Sequence, residues 1–252
     1  MSPERKVLNI VPVPVPPEAL AAFAAQIPDD IVHPGFENVF VSARAGGTTL
    51  DSAYETTLAD AFVLEAGSRA EEQGYAAVCV NSMSDSALAA LRSRLTIPVV
   101  APSQASMLLA SLLGKKFSVI TMWPQWHELY HKAAREQGLG ARMASVRDIG
   151  VAPDTAELLA GKEDFVFAAL EREARAAIDD DGADVIVLGS TTMHQSHAYL
   201  SRVLEVPVLN PGVVAYKLCE LLVVTGLSHS KRAFPSPALV QDDLLSALAA
   251  TH

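Results

Sequence analysis

The chain has 252 residues, half of them hydrophobic, with 29 acidic against 19 basic side chains and a formal net charge of −10. That length supports one large or two modest α/β domains with an ample core, and the composition excludes a disordered chain. Negative charge without a basic stripe argues against nucleic acid or an anionic membrane as a partner, and no apolar run reaches the roughly 18–20 residues that span a bilayer.

In chain order, residues 6–11 read as a first strand, which the Pro-rich residues 12–17 cannot continue in the centre of a sheet. A short helix is expected from Pro16 through Phe23, and residues 37–42 alternate as a second strand. A Gly/Thr loop over residues 45–51 leads into an Ala-rich helix expected over residues 52–73 and closed by Gly74. Residues 75–80 read as a strand, 86–95 as a helix, 98–101 as a short buried strand and 103–113 as a helix. A strand over 116–121 follows, then a helix from Pro124 to Gln137, an edge strand over 142–146 and a long helix over 163–179. Strands over 184–188 and 207–210 flank a helix over 194–204, and residues 213–224 read as the final helix. Such alternation implies parallel sheets covered on both faces.

The segments 77–102 and 184–211 repeat the same events: an apolar strand, a serine at its end, an amphipathic helix, a Pro-Val strand and a proline. Ser82 and Ser190 lie 108 residues apart, as do Gly74 and Gly182. The chain therefore reads as two duplicated lobes, and a pseudo-two-fold packing would bring the two serine-bearing strand ends to one cleft. Ligands in open α/β sheets sit outside the carboxyl ends of strands, so the chemistry is expected there.

The stretches Gly74–Leu91, Pro98–Thr121 and Ala174–Lys217 resemble the aspartate/glutamate/hydantoin racemase superfamily, nearest its hydantoin racemase branch. The resemblance implies two flavodoxin-like lobes, residues 1–101 plus 212–252 and residues 102–211, with the active site between them. It also implies a small-molecule substrate and a homo-oligomer, and no nucleotide or PLP. Family racemases place a cysteine at each strand end, in patterns like Cys-x-x-Asp-Pro-Gly-Leu and Leu-Gly-Cys-Ala-Gly-Met. Here those places read Ser82-Met-Ser-Asp85 and Leu188-Gly-Ser190-Thr-Thr-Met193. The two cysteines present, Cys79 and Cys219, fall in apolar runs and are expected to be buried thiols. The start of the chain does not resemble a secretory signal, so a cytoplasmic location is expected.

A serine hydroxyl is far less acidic than a thiol and cannot act as a free base at neutral pH. Ser82 and Ser190 are therefore expected to be activated nucleophiles or hydrogen-bonding groups. Imidazoles offer the missing base: His194 and His197 follow Ser190, and His127 and His131 share a helix face after the strand ending at Thr121. One reading pairs Ser190 with His194, His197 or His127; another gathers His127, His131, His194 and His197 around a divalent metal with an open water position. His33, His229 and His252 carry no argument. By the family pattern, substrate contacts fall to Asp85, Thr48, Thr49 and Tyr54, and the strand ends add Asn81 and Thr121; Trp123 reads equally as a wall for a ring or as core packing, and Thr191 and Thr192, at a helix start, as N–H donors to a carboxylate. Glu55 lies in the same loop as the threonines, and for Asp85 capping of the following helix is the favoured role over orienting the loop. Gly46-Gly47 lacks a nucleotide-binding pattern, so no cofactor is expected.

Three functions follow. The favoured one is a hydrolase or lyase acting on a small cyclic amide (hydantoin-like, thio-substituted included) or an amino-acid-like carboxylate. The others are a racemase using histidine acid/base groups and an inactive carboxylate-binding paralogue.

Overall fold

The computed structural model describes residues 5–152 and 163–249. Its contacts divide the chain into two units, one running to Ala101 and resuming at Ala215, the other from Pro102 to Val214. His252 lies outside the described residues.

The first unit is built from β1 (Arg5–Val11), α1 (Pro17–Ala24), β2 (Phe36–Ser42), α2 (Ala53–Gly67), β3 (Tyr75–Val80), α3 (Leu88–Arg94) and β4 (Val99–Val100). The second contains α4 (Pro102–Leu113), β5 (Phe117–Thr121), α5 (His127–Glu136), β6 (Met143–Asp148), α6 (Glu163–Asp179), β7 (Val185–Leu188), α7 (His194–Val203) and β8 (Val208–Leu209). The helix α8 (Pro211–Thr225) crosses the boundary, and α9 (Asp242–Ala249) follows it.

Among the described residues the strands form two four-stranded parallel sheets, ordered β2-β1-β3-β4 and β6-β5-β7-β8. The same order recurs because each half repeats the same crossovers. Val7, Leu8, Ile10 and Val11 of β1 and Val185 to Leu188 of β7 are all buried, as strands covered on both faces require. Leu8, Ile10, Val78, Val80 and Leu91 centre one core, and Ile120, Leu170, Ile186, Leu188 and Leu200 the other. In each sheet the chain turns one way after the first strand and the other way after the second. The resulting switch points lie at the carboxyl ends of β1 and β3 and of β5 and β7, where this architecture binds ligands.

Three expectations need correction. The helix expected over residues 52–73 ends as a regular helix at Gly67, where close packing favours glycine: a Cβ would meet Leu91 Cδ2 at 2.8 Å and Ile10 Cδ1 at 2.9 Å. The next residues continue as turns, closed at Gly74 (φ 84°) with Tyr75 N–H donating to the Ala70 carbonyl at 3.0 Å. The helix expected from Pro124 begins as a 3-10 turn over Pro124–Trp126, and α5 starts at His127. Finally, α8 is not the last helix. The later α9 is held to the first unit by the Arg94 guanidinium on Asp242, at 2.7 and 3.0 Å, and by Arg69 on Asp243. Cys79 and Cys219 are both fully buried, the latter with its Sγ 3.6 Å from the Val78 carbonyl. Among the described residues no helix is long and apolar enough to cross a membrane.

Candidate functional site

The two serine-bearing strand ends share one hydrogen-bonding plan. After β3, Asn81 N–H donates to the Ile10 carbonyl of β1 at 2.8 Å; after β7, Gly189 N–H donates to the Ile120 carbonyl of β5 at 2.8 Å. Each loop then folds back on its serine. Ser84 N–H donates to Ser82 Oγ at 3.2 Å with the two hydroxyls 2.7 Å apart, and Thr192 N–H donates to Ser190 Oγ at 3.2 Å with the hydroxyls 2.8 Å apart. A serine whose oxygen is held by the residue two positions on is a local turn device that fixes its rotamer.

Beyond that plan the two ends differ. In the first unit the hydroxyls continue, with Ser84 Oγ 2.7 Å from Ser86 Oγ. Asp85 and Ala87 take positive φ (50° and 55°), and the Ala87 N–H at the start of α3 is received by Asp60 Oδ1 at 2.9 Å. The capping carboxylate is thus Asp60, brought from α2, where the sequence suggested Asp85. The field of Asp85 instead acts on Arg92, whose guanidinium burial pulls below its usual range while Asp85 and Cys219 oppose the shift. Asn81 is buried, and its side-chain oxygen has no hydrogen-bond partner.

In the second unit the loop is braced from below. Thr121 at the end of β5 hydrogen-bonds Tyr130 of α5 at 2.8 Å, and the Tyr130 hydroxyl donates to the Gly189 carbonyl at 2.6 Å. Since Tyr130 gives its proton to Gly189, Thr121 must donate to Tyr130. Burial drives the Tyr130 phenol far above its usual range, so it stays a neutral donor. A side chain at Gly189 has no room: its Cβ would lie 2.5 Å from Thr121 Cβ and 2.8 Å from the Tyr130 hydroxyl. Thr121, expected to contact substrate, is fully buried and supports the loop instead.

The histidines separate into different roles. His127, the first residue of α5, places Nε2 2.9 Å from Oδ2 of Asp148, the last residue of β6 and the register partner of Thr121. Asp148 is fixed in turn by Gly150 N–H donating to Oδ1 at 2.8 Å. Both side chains stay partly exposed, and the contact is one of proximity, since His127 Nε2 makes no hydrogen bond; the pair stands beside a strand end. His197 turns its Nε2 toward the Val208 carbonyl at 3.2 Å; burial lowers its pKa, the Val208 bond opposes the shift and His194 adds to it. The four-histidine metal set is not formed. Among the described residues no group of three or more His, Cys, Asp or Glu could hold a metal ion; His127 lies against Asp148 and His197 against the Val208 carbonyl. Nor is Ser190 paired with an imidazole, since its hydroxyl bonds run to Thr192.

Other expected contacts are occupied within the chain. The Glu55 carboxylate accepts the N–H groups of Thr48, Thr49 and Leu50 at 3.1, 2.8 and 2.6 Å and both threonine hydroxyls. Burial pushes this carboxyl up, but the Thr49, Thr48 and Leu50 N–H groups outweigh it and hold Glu55 below the usual range. Thr48 and Thr49 thus serve Glu55, in a turn that puts Leu50 at φ 55°. Tyr54 is 73% exposed. Trp123 packs edge-on to Trp126 at 6.1 Å and against the second core. Thr192 spends its N–H on Ser190, so it is not presented to a carboxylate, and Thr191 is buried beside Gly212. Sequence reasoning missed Tyr130, Asp148, Ser84 and Ser86. The first two meet the site across 59 and 21 residues, beyond any local pattern. The Ser82-x-Ser84-x-Ser86 spacing was the one signal available.

A profile of the Asp/Glu/Hydantoin racemase family matches residues 18–219. The chain is 30% identical over 195 residues to a hydantoin racemase of Pseudomonas sp. (strain NS671), covering 77% of this chain and 76% of that one. Allantoin racemase from Klebsiella pneumoniae has a similar structure, with a TM-score of 0.85 at 26% identity over 94% of this chain and 95% of that one. Allantoin racemase from Pseudomonas fluorescens gives a TM-score of 0.82 at 28% identity over 94% and 98%. With four-fifths of its length inside the family profile and the fold repeated in its relatives, the chain belongs to the Asp/Glu/hydantoin racemase family.

Proposed function

We propose that the protein is a racemase-type enzyme acting on a small cyclic ureide of the hydantoin or allantoin class, with His127 as the proton-transferring base and the strand-end hydroxyls as donors to the substrate. The observation that supports this reading most directly is the His127–Asp148 pair beside the β5 end, in a chain whose relatives are hydantoin and allantoin racemases. The hydrogen to be moved sits on a carbon between a carbonyl and a ring nitrogen, and removing it puts negative charge on the carbonyl oxygen. Relatives would use thiols for the transfer; we read Ser82 and Ser190 as replacements for those thiols. Neither serine can be the base, because a free hydroxyl does not ionise near neutrality. An imidazole does, and a carboxylate 2.9 Å away stabilises the imidazolium once the proton arrives. Hydroxyls with fixed rotamers suit the complementary task of donating to the developing enolate oxygen.

The same dyad could activate water to open the ring, so hydrolysis is the second reading. Incubating both enantiomers of allantoin and of 5-substituted hydantoins in D2O decides between them. Loss of optical rotation together with deuterium at the ring carbon, the ring intact, is the expected result. Release of an N-carbamoyl product without prior deuterium uptake would replace racemisation by hydrolysis. Tight binding with neither reaction would leave a binding protein.

A further inference from the structure

We propose that Tyr130 is a positioning residue that sets where α5 sits on the second sheet, and with it the spacing between His127 at the head of that helix and the Ser190 loop. The part this spacing plays in catalysis rests on the function proposed above; the tie itself does not.

The buried residues of α5 are Tyr130, Ala133 and Ala134, so the tyrosine is the one large side chain among them. Apolar contacts such as those of the alanines are non-directional, whereas a hydrogen bond weakens steeply away from its preferred distance and angle. Tyr130 makes two such bonds, and their directions are fixed by chemistry. The Gly189 carbonyl, 2.6 Å away, can only accept, so the phenol donates to it and receives the Thr121 hydroxyl at 2.8 Å. Tyr130 and Thr121 are both 0% exposed, so water does not compete for either bond.

One turn of this helix meets three neighbouring strand ends. His127 and Tyr130, three residues apart, are neighbours on the surface of α5. His127 Nε2 lies 2.9 Å from Asp148 at the end of β6, and Asp148 is the register partner of Thr121. Tyr130 reaches Thr121 at the end of β5 and Gly189 after β7, with β5 between the other two strands in the sheet. On the β7 side the hold passes straight to the serine. Gly189 gives its N–H to the Ile120 carbonyl at 2.8 Å and receives Tyr130 on its own carbonyl, so the peptides on both sides of it are tied. The second of these carries the Ser190 nitrogen. It is trans and planar, so holding its carbonyl also sets the direction of the Ser190 N–H and the place of the Ser190 Cα. The first unit does this differently: Ser82 N–H donates to the Val80 carbonyl at 2.8 Å, a bond inside its own loop that involves no helix.

Amide hydrogen exchange followed by NMR tests the tie without any substrate. Tyr130→Phe keeps the ring and loses the hydroxyl. In that variant the Thr192 N–H, bonded to Ser190 Oγ, should exchange about 10-fold faster, as expected for the loss of roughly one buried hydrogen bond from a locally opening loop. The Ser84 N–H, its counterpart on Ser82, should exchange as in the wild type. Equal exchange of Thr192 in the two proteins overturns the proposal. Kinetics of deuterium uptake by a 5-substituted hydantoin then read the consequence, at a temperature where both proteins are folded. Tyr130→Phe should lower kcat about 10-fold with KM changed less than about twofold, inside the roughly 100-fold that a misplacement of about 1 Å can cost. Thr121→Val, which deletes the donor to Tyr130, should fall between the two, and Thr121→Ser should restore what Thr121→Val loses. A wild-type kcat in Tyr130→Phe would remove the catalytic part of the proposal. If Tyr130→Phe does not fold, Thr121→Val carries both measurements. Absence of uptake by the wild type would instead strike at the ureide reading, while amide exchange still decides the tie.

Discussion

The strand ends after β3 and β7 are two copies of one backbone plan that have parted in their chemistry. Both tie the residue before the serine to the neighbouring strand, and both hold the serine oxygen from two residues on. They part at that preceding residue. In the first unit it is Asn81, with a buried amide, and the loop continues as a hydroxyl chain. In the second it is Gly189, whose missing side chain makes room for Tyr130 and Thr121, and an imidazole–carboxylate pair stands at the adjoining strands. The first unit's own described histidines are engaged elsewhere, His33 at the Pro34 carbonyl and His229 at the Leu95 carbonyl. Duplication thus preserved the geometry that holds a serine, while among the described residues the imidazole–carboxylate pair of His127 and Asp148 stands at the second strand end.

The sharpest way to break the comparison is to remove the base. His127→Ala should lower the rate of C–H exchange by about 10²–10⁴-fold, the usual contribution of a positioned acid/base group. Asp148→Asn should cost less, since it keeps a polar neighbour of similar size but loses the charge. His229→Ala in the first unit should leave the rate unchanged. Full activity in His127→Ala would remove the distinction between the two ends.

Next in size is the packing contrast. Gly189→Ala forces a Cβ into 2.5 Å contact with Thr121 and should destabilise by about 1–3 kcal/mol, read from urea unfolding midpoints. Asn81→Ala, at the matching place, should cost less, because the buried amide oxygen it deletes makes no hydrogen bond. Equal losses would mean that the two positions are alike after all. Tyr130→Phe follows. It leaves the Gly189 carbonyl and the Thr121 hydroxyl without their buried partner, for about 1–3 kcal/mol.

These residues also mark how far the sequence could be read. The apolar runs of β3 and β7, the turn glycines and the paired serines are local signals, and they point to two duplicated parallel sheets without any long-range information. Tyr130 could not be found that way. It reads as an ordinary residue of a helix whose neighbours His127 and His131 draw attention, and its role depends on a carbonyl 59 residues later. Asp148 ends an edge strand expected to stop two residues earlier, so the partner of His127 lay in what read as a loop. Glu55 shows the opposite failure. Thr48 and Thr49 look like substrate ligands until the carboxylate of the following helix is seen to occupy their N–H groups. A polar loop shows what it can bind, and only the fold shows what has already bound it.

The smallest effect concerns stability against pH, and it compares the two units through their neutral imidazoles. Burial lowers the pKa of His197, and of His229 in the first unit, below the ordinary value near 6.5. Between that lowered value and 6.5 the unfolded chain binds more protons than the folded one, so stability rises with pH across the window. The contribution is complete above 6.5 and is lost as the pH falls through the folded-state pKa. His197→Gln keeps an N–H for the Val208 carbonyl and removes the titration, so its melting temperature should fall less than the wild type's between pH 7 and pH 5. The difference should be on the order of 1–2 °C for a chain of this size. His229→Gln should do the same on a smaller scale, because its ring is the less buried of the two. The two substitutions share no hydrogen-bond partner and lie in different units, so their effects should add in the double variant. An unchanged pH profile in His197→Gln would mean that burial beside the Val208 carbonyl does not lower the pKa of this imidazole in the folded protein.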